Sequence, residues 1–149
     1  MDRIDILRRL AEALNARHYL EIGVSKGESF FPLRIPRKVA VDPNPRLSWR
    51  KKLRNCVRNP HNLFNRYHLV TSDAYFAAVP PPAGGFDLAF IDGLHTYEQA
   101  LKDALNALNA LKPGGVVALH DCNPPHEAAA YPARSYEDAA ASKPPGWTG

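Results

Sequence analysis

The sequence predicts an α/β domain of three layers, α/β/α, in which about five parallel strands form a Rossmann-like, doubly wound sheet. Short apolar runs alternate along the chain with segments of helical periodicity, as strand–helix–strand units require. An acidic residue or a histidine ends or closely follows each run, at the sheet edge where parallel α/β proteins bind ligands. The five runs are residues 18–22, 38–42, 68–71, 86–91 and 116–119.

The composition indicates one domain with its own core. The chain has 149 residues, of which 45% are hydrophobic, and this suffices for a buried core. The net charge of +4 is too small for a dedicated nucleic-acid binder, so no specific nucleic-acid partner is expected. Cys56 and Cys122 lack metal-type spacing and predict reduced thiols. No apolar run is long enough to cross a membrane, and we therefore expect a cytoplasmic protein without a membrane partner.

Three helices are predicted from apolar spacing. Residues 2–16 form the first, with Asp2 as its N-cap, and residues 44–57 form the second, whose arginines and lysines are interpreted as a solvated face. The third starts at Thr96, which forms a capping box with Gln99. A short helix after Gly27 ends before Pro32. The side chains expected on buried helix faces are Ile6, Leu7, Leu10, Leu14, Trp49, Leu53, Cys56, Val57, Leu101, Leu105, Leu108 and Leu111.

The turn after the first strand, from Glu21 to Gly27, is the strongest local signal for a ligand. Gly23 and Gly27 allow the backbone to approach a bound molecule closely. The spacing is E-x-G-x-x-x-G, which differs from the G-x-G-x-x-G turn of dinucleotide-binding folds. An acidic residue beside this turn suits a ligand with a positive amino group. Asp42 follows the second strand at the distance that brings a carboxylate to a ribose hydroxyl pair.

With these motifs the chain resembles the class I S-adenosylmethionine-dependent methyltransferases, in the branch with metal-dependent sugar and small-molecule O-methyltransferases. The resemblance spans about residues 15–123 and includes residues 20–27, 41–42, 71–73, 86–98 and 112–121. It implies an enzyme that transfers a methyl group from S-adenosyl-L-methionine to a hydroxyl oxygen of a small molecule or sugar. The cofactor-binding residues that it implies are Glu21, Gly23, Val24, Ser25, Gly27, Asp42, Ser72, Asp73 and Asp92.

A second group of residues follows the fourth and fifth strands. Neighbouring strand ends lie about 5 Å apart, so Asp92 and Asp121 could share a divalent ion such as Mg²⁺. In the resembling enzymes the corresponding positions bind metal and the histidine of the Asp-x-x-His motif acts as the base. The resemblance therefore implies His95 and Asp92 as catalytic residues, and Asp92, His120 and Asp121 as metal ligands. His120 stands where the family often has an acid, and it favours manganese, zinc or iron over magnesium.

The end of the chain departs from the resembling fold, which has seven strands. Only five are predicted here, so the last two are expected to be missing from an apparently truncated sheet. Residues 1–122 are predicted to form the core of a single domain, and residues 123–149 an irregular tail rich in proline and alanine. An open sheet edge could pair with a second copy of the chain in a homo-oligomer.

Two alternatives remain open at this stage. An NAD(P)-binding Rossmann oxidoreductase would share the turn and Asp42, although it would require the tighter glycine spacing. A non-catalytic module for cofactor binding or dimerisation is the other alternative, and the open sheet edge favours it.

Overall fold

A computed structural model describes residues 2–123, 126–130, 138 and 141. The helices are α1 (Arg3–Ala13), α2 (Trp49–Arg58), α3 (Ser72–Ala78) and α4 (Tyr97–Ala110), and the strands are β1 (His18–Ile22), β2 (Arg37–Val41), β3 (Arg66–His68), β4 (Phe86–Ile91) and β5 (Leu111–Leu119). Short 3₁₀ turns lie at Pro60–Phe64 and Glu127–Ala130. Most of the predicted tail falls outside the described residues. None of the described helices combines the length and the apolar character needed to span a bilayer.

The five strands form one parallel sheet in the order β3-β2-β1-β4-β5, which confirms the predicted fold class. Side chains alternate across β1, because successive residues of a strand point to opposite faces. Tyr19 packs in the core on one face together with Leu7 of α1. Leu20 and Ile22 pack in the core on the other face, with Tyr75 of α3. The strand order reverses between β1 and β4, so the loops after these two strands lie side by side near the centre of the carboxyl edge, where doubly wound sheets bind ligands.

The connection from β1 to β2 contains no α-helix, so the predicted short helix after Gly27 is wrong. A single helical hydrogen bond, from Phe31 N to Gly27 O at 3.1 Å, is followed by irregular backbone. The side chains of this segment fill the core instead, and the buried ones are Phe30, Phe31, Leu33 and Ile35. Backbone carbonyls buried in this way need donors from elsewhere in the chain.

Three polar side chains supply those donors. The Nζ of Lys38 donates to Phe30 O at 2.6 Å and to Leu33 O at 2.9 Å. It also donates to Asn62 Oδ1 at 2.6 Å, so all three ammonium hydrogens have acceptors. Asn59 Nδ2 donates to Leu33 O at 2.9 Å, and Asn62 Nδ2 donates to Phe31 O at 3.1 Å. Burial lowers the pKa of Lys38 to about 7, which is the cost of placing this donor in the core.

The second half of the chain differs from the prediction at its boundaries. Strand β3 covers Arg66–His68, earlier than the predicted 68–71. Thr71, which was predicted to lie in the strand, is instead the N-cap of α3. Its side chain accepts a hydrogen bond from Ala74 N at 3.3 Å. The Lys-Pro-Gly-Gly segment lies inside β5 as an irregularity that shifts the register against β4.

The apolar stripes that were predicted to be buried in α2 and α4 are exposed, whereas Arg50, Arg54 and Arg58 of α2 are exposed as predicted. No residue of α2 is buried, and Trp49, Leu53 and Val57 are exposed. In α4 the buried residues are Asp103, Ala107 and Ala110, whereas Leu101, Leu105 and Leu108 are exposed. Small side chains allow α4 to lie close to the sheet, and this arrangement leaves the larger leucines outside.

Two predicted helix caps have different outcomes. Asp2 caps α1, and its Oδ1 accepts hydrogen bonds from Ile4 N at 2.6 Å and Asp5 N at 3.1 Å. The capping box of α4 does not form, because Thr96 makes no side-chain cap bond. The Gln99 amide instead donates to Asp103 Oδ1 at 2.9 Å.

Glu21 is a buried carboxylic residue within β1. Its oxygens accept hydrogen bonds from the Tyr19 hydroxyl at 2.5 Å and from the Ser29 hydroxyl at 2.7 Å. Burial nevertheless raises its pKa from 4.5 to about 7, because desolvation penalises the charged form more than the two donors favour it.

This pKa predicts a pH-dependent stability. Between pH 4.5 and about 7 the folded protein retains a proton on Glu21 that the unfolded chain has released, so stability falls as the pH rises. We expect the free energy of unfolding of the wild type to fall by about 1–3 kcal/mol relative to that of Glu21→Gln across this window. Urea unfolding at several pH values measures this difference. Glu12→Gln, on the exposed side of α1, is the control, and wild-type and Glu21→Gln curves that stay parallel would contradict the assignment.

Candidate active site at the carboxyl edge of the sheet

A cleft of about 530 Å³ opens at the carboxyl edge of the sheet, between the loops after β1, β2 and β4 and the start of α3. Six of the predicted cofactor-binding residues line it, namely Gly23, Ser25, Asp42, Ser72, Asp73 and Asp92. Its wall also contains residues that the sequence analysis did not select, and these are Ile22, Val41, Pro43, Thr71, Gly93, Leu94, Gln99 and Asp103. The cleft is therefore partly apolar, with carboxylates at separate points around it.

The floor of the cleft depends on Gly23. Its φ of +82° lies in the left-handed region, which glycine adopts without strain. A Cβ atom at this position would lie 2.0 Å from Asp92 O. The loops after β1 and β4 are therefore in backbone contact, and only a residue without a side chain fits between them.

Asp42 lies at the end of β2 and holds the neighbouring loops. Its Oδ2 accepts a hydrogen bond from Ser25 N at 2.7 Å, and its Oδ1 accepts one from Asn44 N at 2.8 Å. An ionised carboxylate has about four lone-pair positions, so both oxygens keep capacity for further donors. This is the arrangement that two adjacent hydroxyls of a ribose would require.

Three of the predicted cofactor-binding residues do not line the cleft. Glu21 is fully buried and is bonded to Tyr19 and Ser29. Val24 belongs to the core. A Cβ on Gly27 would contact the Phe31 side chain at 2.6 Å, so this glycine allows close packing behind the loop. All three support the loop from its inner side.

One end of the cleft is formed by a polar network between α3 and α4. Gln99 Nε2 lies 3.2 Å from Ser72 Oγ and 3.2 Å from Asp73 Oδ1. Lys102 Nζ donates to Asp73 Oδ2 at 2.7 Å, and this bond lowers the pKa of Asp73. Burial raises the pKa of Asp103. The sequence signal for this network was a Gln99–Asp103 pair at i, i+4, polar residues within a leucine-rich helix.

At the other end, the predicted catalytic and metal-binding residues lie together. Ligand atoms of Asp92, His95 and Asp121 all lie within 4.8 Å of one another. His95 Nε2 is 3.5 Å from Asp92 Oδ1, and the hydrogen bond to Asp92 raises the pKa of His95. Asp92 lines the cleft as well. The cluster and the cleft therefore share one carboxylate.

His120 is also part of this cluster. Its Nδ1 lies 3.0 Å from Asp121 Oδ2 and 3.4 Å from Asp92 Oδ1. This buried nitrogen nevertheless makes no aligned hydrogen bond among the described residues. Two carboxylates and an imidazole nitrogen are ligands that suit a divalent cation of the manganese, iron or zinc type, and among the described residues Asp92, His95 and Asp121 have the spacing of such a set.

Arg3, at the start of α1, contacts Asp92, and the sequence did not predict this contact. Its Nη1 donates to Asp92 Oδ2 at 3.1 Å and lies 3.4 Å from His120 Nε2. Its Nη2 lies 3.7 Å from Glu28. No local pattern indicated this role, because Arg3 and Asp92 are 89 positions apart. Any cation at Asp92 must share this carboxylate with a guanidinium.

Comparison with solved structures shows the same fold in methyltransferases. The O-methyltransferase TomG from Streptomyces achromogenes, involved in tomaymycin synthesis and solved with SAM, is 22% identical with a TM-score of 0.65, over 83% of this chain and 60% of TomG. Cofactor-bound Rv0187 from MTB is 22% identical with a TM-score of 0.70, over 95% of this chain and 64% of Rv0187. An O-methyltransferase from Bacillus cereus, solved with SAH, is 22% identical with a TM-score of 0.59, over 78% of this chain and 55% of that enzyme.

This chain therefore spans about three fifths of the length of these relatives, and at this identity the likeness shows the fold. A search of curated protein sequences found no match. The comparison with protein families identifies the family of this chain. Residues 20–122, from β1 to just beyond Asp121, match the family described as a methyltransferase domain. The chain belongs to this methyltransferase domain family, and its sheet has the fold of the class I S-adenosylmethionine-dependent enzymes.

Proposed function

We propose that this domain binds S-adenosyl-L-methionine in the cleft and transfers its methyl group to a hydroxyl oxygen of a small molecule. The observation that carries the proposal is the position of Asp92, which lines the cleft and also contacts His95. A cofactor in the cleft and a base in the cluster would then meet at one carboxylate. The methyltransferases solved with SAM or SAH support the choice of cofactor.

Each end of the cleft suits one part of the cofactor. The glycine turn at Gly23 would face the methionine part, and Asp42 would accept hydrogen bonds from the ribose hydroxyls. Ser72 and Asp73 would lie beside the adenine, together with Gln99, which contacts both of them. Glu21, which the resemblance placed beside the methionine, would act by holding the turn from within.

The reaction requires alignment and removal of one proton. His95 would take the proton of the acceptor hydroxyl, and Asp92, hydrogen-bonded to the imidazole, would orient the ring and stabilise its protonated form. Bound S-adenosyl-L-methionine would supply an electrophilic methyl group, which the hydroxyl oxygen would attack once the residues of the cleft align the two. A carbon–oxygen bond forms as the carbon–sulfur bond breaks, and the products are a methyl ether and S-adenosylhomocysteine.

Asp92, His120 and Asp121 would hold a divalent ion, which lowers the pKa of a bound hydroxyl. The distances of 3.0 Å and 3.4 Å from His120 Nδ1 to the two carboxylates support this ligand set, which would leave His95 as the base. The acceptor is proposed as a hydroxyl-bearing small molecule of sugar or natural-product type. The oxidoreductase alternative has no support from the family match or from the glycine spacing.

The cofactor assignment predicts that Asp42 dominates binding. We expect Asp42→Asn and Asp42→Ala to weaken S-adenosylhomocysteine binding at least tenfold, because a hydrogen bond to a charged group contributes about 1.5–3 kcal/mol. Isothermal titration calorimetry measures the affinity, and the unfolding temperature shows whether the loop bonds to Ser25 and Asn44 still form. Asp5→Ala in α1 is the control. Unchanged affinity in a folded Asp42→Ala protein would contradict the cofactor site.

The catalytic assignment predicts a separation of binding from turnover. We expect His95→Ala to keep its S-adenosylhomocysteine affinity within about threefold and to lose about 10²–10⁴-fold in methyl transfer, the usual contribution of a general base. Turnover is followed as S-adenosylhomocysteine release with a panel of catechol and sugar acceptors. His61→Ala, in the 3₁₀ turn after α2, is the control. Normal turnover by His95→Ala would remove its role as the base.

A further inference from the structure

Helix α2 presents an unusual surface to solvent. Trp49, Leu53 and Val57 are 69%, 59% and 80% exposed. They are spaced four residues apart and form one apolar ridge along the helix. Arg50, Arg54 and Arg58, each one position further along, form a parallel ridge that is also exposed. We call these six side chains the α2 surface.

Contacts on the opposite side of the helix fix this orientation. Lys52 Nζ lies 4.0 Å from the centre of the Tyr67 ring, and Asn62 Nδ2 donates to Asn55 O at 3.0 Å. The side of α2 that faces the domain is therefore polar, while its apolar ridge faces outward. This is the reverse of an ordinary surface helix, which buries its apolar stripe.

The segment of the chain that contains α2 carries charge of one sign. Between Asp42 and Asp73 the chain contains no acidic residue. Its basic residues in this stretch are Arg46, Arg50, Lys51, Lys52, Arg54, Arg58 and Arg66. Such a field attracts an anionic partner. It also opposes a symmetric contact with a second copy of the chain, which would place arginine against arginine.

The chemistry of the apolar ridge distinguishes between anionic partners. Single-stranded nucleic acid is held by several aromatic side chains on which successive bases stack, and Trp49 is the one aromatic residue among the six of the α2 surface. The surface of an anionic bilayer offers phosphate groups directly above acyl chains. Amphipathic helices with arginines beside Trp and Leu lie in that interface, with their apolar side chains inserted and their charges at the headgroups.

We propose that the α2 surface docks this domain on an anionic phospholipid membrane, as a peripheral contact. Docking by this surface would also determine how far the cleft lies from the membrane. Arg46 N, just before α2, donates to Ser25 O at 2.9 Å, and Ser25 lines the cleft. A domain held by α2 would therefore keep the cleft close to the bilayer.

The full 149-residue chain tests this by co-sedimentation with vesicles of phosphatidylcholine alone and of phosphatidylcholine with phosphatidylglycerol. We expect binding to the anionic vesicles only, weakening as salt is raised. The double variant Arg50→Gln/Arg54→Gln should reduce partitioning about tenfold or more, since each basic residue near such a surface contributes about 1 kcal/mol. Arg8→Gln/Arg9→Gln, the same charge change on the exposed side of α1, should change partitioning less than about twofold.

The apolar ridge is tested separately. Leu53→Ser should reduce partitioning about tenfold, as expected for withdrawing one buried leucine. Leu105→Ser, at a leucine of α4 with similar exposure, should leave partitioning unchanged. All substituted side chains are exposed, and circular dichroism confirms folding.

Three results would overturn the proposal. The first is a folded protein that does not bind anionic vesicles, including one that binds a single-stranded oligonucleotide or an acidic peptide instead. The second is equal loss of binding in the α1 and α2 arginine variants. The third is vesicle binding that survives both the arginine and the Leu53 substitutions.

Discussion

The contact between the Gly23 and Asp92 backbones is the constraint on which the rest of the site depends. The two central strands, β1 and β4, end at this point, and a Cβ on Gly23 would meet Asp92 O at 2.0 Å. Because the loops touch, the cleft on one side and the cluster of Asp92, His95 and Asp121 on the other share a single carboxylate. A bulkier residue at Gly23 would separate them.

A second constraint shapes the face of the sheet that carries α1. The buried segment between β1 and β2 has no helix to pair its carbonyls, and Lys38, Asn59 and Asn62 supply the donors. Its aromatic and aliphatic side chains cover the sheet there. No residue of α2 is buried, so this helix is left with its apolar ridge exposed. The side chains of the irregular connection thus occupy the core position that the apolar ridge of α2 would otherwise fill.

Much of the architecture could be predicted from the sequence because its signals are local. Apolar runs located four of the five strands, while the third run overlaps β3 only at His68. The residues that follow the runs marked the carboxyl edge where Asp42, Asp92 and Asp121 lie. The directions of α2 and α4 could not be predicted, since periodicity identifies a stripe without showing whether it faces the core. Helix α4 has a stripe of small residues as well as a stripe of leucines. The small residues pack against the sheet because they allow a closer approach, and the leucines are exposed.

Contacts between distant parts of the chain explain the remaining differences. Arg3 reaches Asp92 across 89 positions, and an opening helix carries no sign of such a partner. Glu21 was predicted to face the cofactor because it precedes the glycine turn. Its position inside the fold depends on Tyr19 and Ser29, whose hydroxyls could not be placed before the structure.

Titration of ¹⁵N-labelled protein with S-adenosylhomocysteine, followed through assigned backbone amide signals, tests the central claim most directly. If the cleft at the Gly23–Asp92 contact holds the cofactor, the largest shifts will fall on Gly23, Ser25 and Gly93, with smaller ones at Ser72 and Asp73. Shifts that cluster at the opposite edge of the sheet, around Gly84 and Gly85, would contradict the account, as would a folded protein whose spectrum does not change.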